Sequence, residues 1–171
     1  MDICQLVLED HAELRRLFAQ IDEIGAEDTE ALGAVWTRLK HMLDAHAENE
    51  ERHLYPRVVQ EGEGAGDADD MEDEVEDAIE DHNKIRDAVK AVDAETVGSE
   101  AWFEAVAKAN EENGDHLAEE ERQALTDARA HLSIEERHAL GVKFAAFSAA
   151  HLEGVKPVNK DPAEYIAQHA G

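Results

Sequence analysis

Two of the ten histidines in this 171-residue chain open the same phrase. His46-Ala-Glu-Asn-Glu50-Glu-Arg52 returns 70 positions later as His116-Leu-Ala-Glu-Glu120-Glu-Arg122. On a helix, positions i and i+4 share a face, so each phrase projects an imidazole and a carboxylate from one spot. A second pair repeats at nearly the same offset, since Glu9-Asp10-His11 returns as Glu80-Asp81-His82, 71 positions on. The internal gaps agree as well, 35 residues from His11 to His46 and 34 from His82 to His116. The chain reads as one helical hairpin used twice, each copy supplying two His and one Glu. Those residue types in that pattern are a metal-binding set.

Chance must be weighed, because Asp and Glu together number 42 of the 171 residues. One His–Glu pair at i+4 would mean little; His131 and Glu135 form such a pair, but Ser133 between them opens a new helix. The candidates differ in replacing apolar residues in hydrophobic stripes, where an unpaired ionisable group costs several kcal/mol. Their depths also match: Glu50 precedes the Gly-rich segment by about 12 residues and His82 follows it by about 12, which levels them across antiparallel helices at about 1.5 Å per residue. Four imidazoles and two carboxylates suit two iron ions bridged by Glu50 and Glu120. By symmetry His11 and His46 would serve one ion, His82 and His116 the other. Four protein ligands per metal leave places for water, oxide, peroxide or O2. Imidazole with carboxylate also suits Mn or Zn, although a structural zinc site is more often tetrahedral and mononuclear.

The elements that must position these groups are helices. Apolar residues spaced by three and four (Ile3, Val7, Leu14, Leu17, Phe18, Ile21) predict a helix from Ile3 to Ile24 with His11 in the stripe. Gly25 stops it, and Asp28 or Thr29 caps the next. The second helix runs from about Glu30 to Gln60 on Leu32, Val35, Trp36, Leu39, Met42 and Leu43, with Pro56 kinking or fraying its end. Glu61–Asp70 is a flexible linker between the repeats. The third helix spans about Met71–Val92, and the fourth, capped by Ser99, about Glu100–Ala130. No strand alternation occurs. The predicted fold class is all-α, an up-down-up-down four-helix bundle over 1–130. Residues 131–171 add a fifth helix, opened by the capping box Ser133-Ile-Glu-Glu136, and an extended tail between Pro157 and Pro162, packed on the bundle.

Composition bounds the partners. A net charge of −26 argues against nucleic acid or an anionic membrane surface. Cys4 is the only cysteine, so no intrachain disulfide, thiolate zinc site or iron–sulfur cluster can form. Met1 leads directly into an amphipathic pattern, and no apolar run reaches spanning length, so a cytoplasmic protein is expected. The chain has no flavin or dinucleotide fingerprint.

The order His, His-x-x-x-Glu, His, His-x-x-x-Glu, carried by His11, His46/Glu50, His82 and His116/Glu120, resembles the hemerythrin-like (HHE cation-binding) family over about residues 3–130. Asp10-His-Ala-Glu-Leu14 and Tyr55-Pro56 strengthen the likeness. The resemblance implies a four-helix bundle around a non-haem di-iron centre, oxo- or hydroxo-bridged and spanned by carboxylates. Two departures matter. Oxygen-carrying hemerythrins have a fifth His one turn after the third-helix His, where this chain has Arg86, and one bridging residue, usually Asp, is Glu120. The tail, with His151-Leu-Glu-Gly-Val155 and Lys160-Asp-Pro-Ala-Glu-Tyr165, looks like a mycobacterial or actinobacterial branch, which implies H2O2 decomposition and nitric-oxide or redox stress. The expected function is catalase-like disproportionation of H2O2. The alternative is an O2 or NO sensor or carrier, or an iron buffer, without turnover; a purely helical interaction module is the non-metal reading.

Other residues read as follows. His53 faces inward but, two turns from His46, cannot join the same metal; it reads as a buried hydrogen-bonded His, with an orienting contact or an extra ligand as the alternative. An unkinked helix turns Tyr55 about 180° away from His46, with Pro56 leaving that open. His151 continues the Phe144/Phe147 stripe as packing. Tyr165 either packs or folds back as a phenolate ligand. His41, His131, His138 and His169 are surface, and Trp36 and Trp102 core. Asp10 and Asp81 either orient His11 and His82 or are plain surface acids.

Overall fold

The computed structural model describes residues 1–66 and 70–170, where eight helices and no strand are found. They are α1 Ile3–Glu23, α2 Thr29–His53, α3 Tyr55–Glu61, α4 Met71–Asp93, α5 Glu100–Arg122, α6 Ala124–His131, α7 Ile134–Ala150 and α8 Pro162–His169. Polar side chains start most of them. Asp2, Asp28, Asp70, Ser99, Ser133 and Asp161 each accept a backbone N–H of the first turn, and Ser133 with Glu136 completes the reciprocal capping box. Part of the Glu61–Asp70 linker lies outside the described residues.

Two expected helices are each divided in two. The second breaks at Leu54, where Pro56 at the start of α3 cannot continue the i→i−4 ladder. The fourth breaks at Gln123 (φ −107°, ψ −87°), with no proline to cause it. Both breaks fall within four residues after a candidate ligand, Glu50 or Glu120, so the repeat extends to the place where the helix changes direction.

α1, α2, α4 and α5 form the bundle, with α3 and α6 continuing its second and fourth helices. The core is two apolar clusters rather than one. Ile3, Val7, Leu54, Val75, Ile79, Ala124 and Leu125 belong to the first, which also takes in Phe144 and Tyr165 from the C-terminal region. Leu14, Phe18, Trp36, Leu43, Ile85, Val89, Trp102 and Val106 belong to the second. On each bundle helix the switch between clusters occurs where the repeated His falls. The apolar ends are therefore separated by a polar layer.

The C-terminal region wraps the bundle. α7 packs against α1 and α2, close enough that a Cβ on Gly141 would lie 3.1 Å from the Ile3 nitrogen. Asn49 of α2 ties α7 down, its Nδ2 donating to the Phe144 carbonyl and to Ser148 Oγ, both at 3.0 Å. The chain then crosses to place α8 against α4 and α3.

Candidate metal centre

His11, His46, Glu50, His82, His116 and Glu120 all project into the polar layer, and none exceeds 4 % exposure. They fall into two overlapping groups whose donor atoms lie within 4.8 Å of one another: His11, His46, Glu50 and Glu120, and Glu50, His82 and His116. Glu50 belongs to both. Its Oε1 is 3.0 Å from His46 Nε2, and its Oε2 is 3.4 Å from His82 Nε2. Glu120 joins only the first group, with Oε2 at 3.1 Å from His11 Nε2. In the second group the Nε2 atoms of His82 and His116 face each other at 3.0 Å.

The outward ring nitrogens explain this inward aim. Nδ1 of His11 donates to Glu121 (2.9 Å) and Nδ1 of His82 to Glu51 (2.8 Å), each acid being the residue after a candidate ligand Glu. Nδ1 of His46 donates to Asp10 (3.3 Å), while Nδ1 of His116 lies 3.9 Å from Asp81. Such partners fix the tautomer, so Nε2 presents a lone pair to the interior. Asp10 and Asp81 thus serve the histidine of the adjacent helix and not the neighbour in sequence, because consecutive residues diverge on a helix. The acids are in turn held by arginines one turn after a candidate ligand, Glu121 by Arg15 (2.7 Å) and Glu51 by Arg86 (2.8 Å). Arg86, standing where a fifth His would be, ties Glu51 and lies outside both donor groups.

The electrostatics of the layer favour a cation. His11 Nε2, His46 Nε2 and all four carboxylate oxygens of Glu50 and Glu120 are buried with no hydrogen-bond partner. Burial and the charge of Glu120 push the Glu50 carboxyl well above the usual carboxylate range. Burial pushes His46 down and His116 well down, which keeps both imidazoles neutral and able to ligate. His11 goes the other way: burial would lower it, but the Glu120 and Glu121 carboxylates beside its two ring nitrogens outweigh that. The orphaned lone pair of the neutral His46 imidazole and the unpaired oxygens of the crowded carboxyls are what a cation would satisfy, displacing the protons held by Glu50 and His11. The donor set fits iron.

The structure decides readings that the sequence leaves open and corrects that of His53. Tyr55 points inward, because the break at Leu54 rotates it. It is fully buried, its ring stacks on His82 (5.6 Å, 23°), and its hydroxyl has no hydrogen-bond partner. Burial, then the Glu120, Glu50 and Glu51 carboxylates, push its pKa well up, so it keeps its proton. Tyr165 is no phenolate ligand, since its hydroxyl donates to the Glu51 carbonyl at 2.7 Å. His53, expected in the core, is half-buried and lies edge-on to Phe147 (6.1 Å, 77°) away from the cluster. His151 packs as expected, stacked on Phe147 at 4.0 Å with Nδ1 donating to the Phe147 carbonyl. Trp36 and Trp102 are core. Glu51 and Glu121 escaped notice as orienting groups. The only available signal was that each repeated phrase has a second Glu after its candidate ligand, and in so acidic a chain that carried little weight.

A cavity of about 240 Å³ opens beside His46, lined in part by Asp10, His41, Met42, Ser148 and His151. Phe144 stands edge-on to the His46 ring (6.5 Å, 83°). Among the described residues no helix is long and apolar enough to cross a membrane.

Comparison with known proteins agrees with this geometry. No curated protein and no solved structure matches the chain. The sequence profile described as Hemerythrin HHE cation binding domain matches residues 2–141, which takes in every residue of both donor groups. The chain belongs to the hemerythrin HHE cation-binding family.

Proposed function

We propose that the chain is a cytoplasmic di-iron protein that disproportionates H2O2 under oxidative or nitrosative stress, with His11, His46, His82 and His116 as terminal ligands and Glu50 and Glu120 as bridges. One observation carries it: buried, unpaired Nε2 and carboxylate atoms converge at a single depth while the opposite ring nitrogens of His11, His46 and His82 are hydrogen-bonded to acids. Residues 1–130 would hold the centre and 131–171 cover it.

Bound iron would supply a couple that takes and returns two electrons. Disproportionation suits a chain without a reductase motif, because one H2O2 gives up two electrons and two protons to become O2 while another accepts them to become two H2O. The protein's own part is positional. The acids on Nδ1 hold the imidazoles in register. Phe144 and the stacked Tyr55 ring exclude water, and the Tyr55 hydroxyl holds a proton beside the carboxylates. The cavity beside His46 has volume enough to hold a diatomic molecule or peroxide next to that ring.

Metal analysis with optical spectra before and after peroxide tests this. Two irons per chain and O2 evolution are expected, and His82→Ala and Glu120→Ala should each lose the full two-iron loading and with it O2 evolution. A reversible O2 or NO adduct without turnover would make it a carrier or sensor, and iron-free protein would refute the metal reading.

A further inference from the structure

The two donor groups are built alike, yet among the described residues the carboxylate behind only one of them is engaged by a segment outside the ligand-bearing helices. Lys160 lies in the extended stretch between α7 and α8. Its backbone N–H donates to Asn83 Oδ1 (3.0 Å), and its carbonyl accepts from Asn83 Nδ2 (2.7 Å), so the chain is clamped at both sides of the residue next to His82. Asn159 adds a bond to Asp87 at 3.2 Å. From there the Lys160 ammonium reaches Glu48 Oε2 (3.1 Å) and makes a close ion pair with Glu51 Oε2. Tyr165 closes the same corner through the Glu51 carbonyl.

The Glu51 side chain is 0 % exposed and its two oxygens are divided. Oε1 takes His82 Nδ1 and Arg86 Nη2, and Oε2 takes Lys160. A buried carboxylate with a free oxygen could rotate to serve Arg86 alone and release the imidazole. An ammonium on the second oxygen prevents that rotation. A surface ion pair would not have this consequence, and the repeat-equivalent acid, Glu121, has His11 and Arg15 but no tail residue and is 30 % exposed.

We infer that Lys160 is a positioning residue for one metal position only: by fixing Glu51 it orients His82, so the C-terminal tail controls cation affinity at the His82/His116 group and leaves the His11/His46 group untouched. This rests on the proposed two-metal reading. Loss of a group that orients a ligand typically weakens metal binding 10- to 100-fold, and that is the size expected here.

The test is anaerobic Co(II) titration of the metal-free full-length chain, followed by the ligand-field absorption of each step. Wild type is expected to bind two ions. Lys160→Met should weaken one step by at least about tenfold and leave the other in place, with Lys160→Arg restoring it. In a His11→Ala background Lys160→Met should weaken the remaining step, and in a His82→Ala background it should change nothing. Unchanged binding in Lys160→Met, or equal weakening of both steps, would overturn the role of Lys160 with the two-metal reading intact. A wild type that binds fewer than two ions would overturn that reading instead.

Discussion

The halves of the centre share a sequence pattern and differ in surroundings. In the first, His11 is held by Glu121 and Arg15, both reaching solvent, with Arg15 46 % exposed. In the second, His82 is held by Glu51 and Arg86, both buried, with Lys160 added from the tail and the Tyr55 ring stacked on the imidazole. The residue matching Tyr55 in the other repeat is Leu125, which packs in the first apolar cluster. Repetition therefore copied the donors and the first links behind them, while the dielectric around those links diverged. A carboxylate–guanidinium pair in water contributes little to stability. The same pair buried is costly to break, because the surviving charge has no solvent.

The contrast can be broken in three ways, in decreasing order of effect. In metal-free protein, Glu51→Ala strands Arg86 and should cost about 3–5 kcal/mol in chemical denaturation. Glu121→Ala should cost no more than about 1 kcal/mol; equal losses would end the distinction. Tyr55→Phe removes a buried hydroxyl without a partner, so metal-free protein should gain about 1 kcal/mol. A loss instead would mean that the hydroxyl is bonded in solution. The smallest effect concerns α4, where burial, then Glu119, Asp77 and other acids, raise Glu74 to about 7 from an ordinary 4.5. The folded state then binds more proton than the unfolded state between those values, so stability falls as pH rises from 4.5 to about 7. Glu74→Gln should flatten that slope, by less than about 1 kcal/mol given solvent screening at a half-buried site.

The bundle and the meeting of the six donors could be read from the chain because each is a matter of helical phase. A His between Val7 and Leu14, or between Ile79 and Ile85, must face inward whatever the tertiary details. What phase could not supply was any contact made between helices or after a break. Glu51 lies one residue past the inward-facing Glu50 and reaches His82 on another helix. Asp10 and Asp81 turn to histidines 36 and 35 positions away. The direction of Tyr55 stays open in the sequence, because an angle counted along α2 holds only as far as His53, where that helix stops. Lys160 acts from an extended stretch, which has no periodicity to interpret.

Both tryptophans lie in the second apolar cluster, edge to face at 6.2 Å, with Trp36 Nε1 donating to Asp93. Both tyrosines lie in the first. Intrinsic spectra thus divide the molecule at its polar layer: indole emission reports the cluster of α1, α2, α4 and α5 alone, and phenol absorbance reports the cluster that α7 and α8 help to build. Melting followed at the two wavelengths shows directly whether the layer welds the ends into one cooperative unit or lets them part.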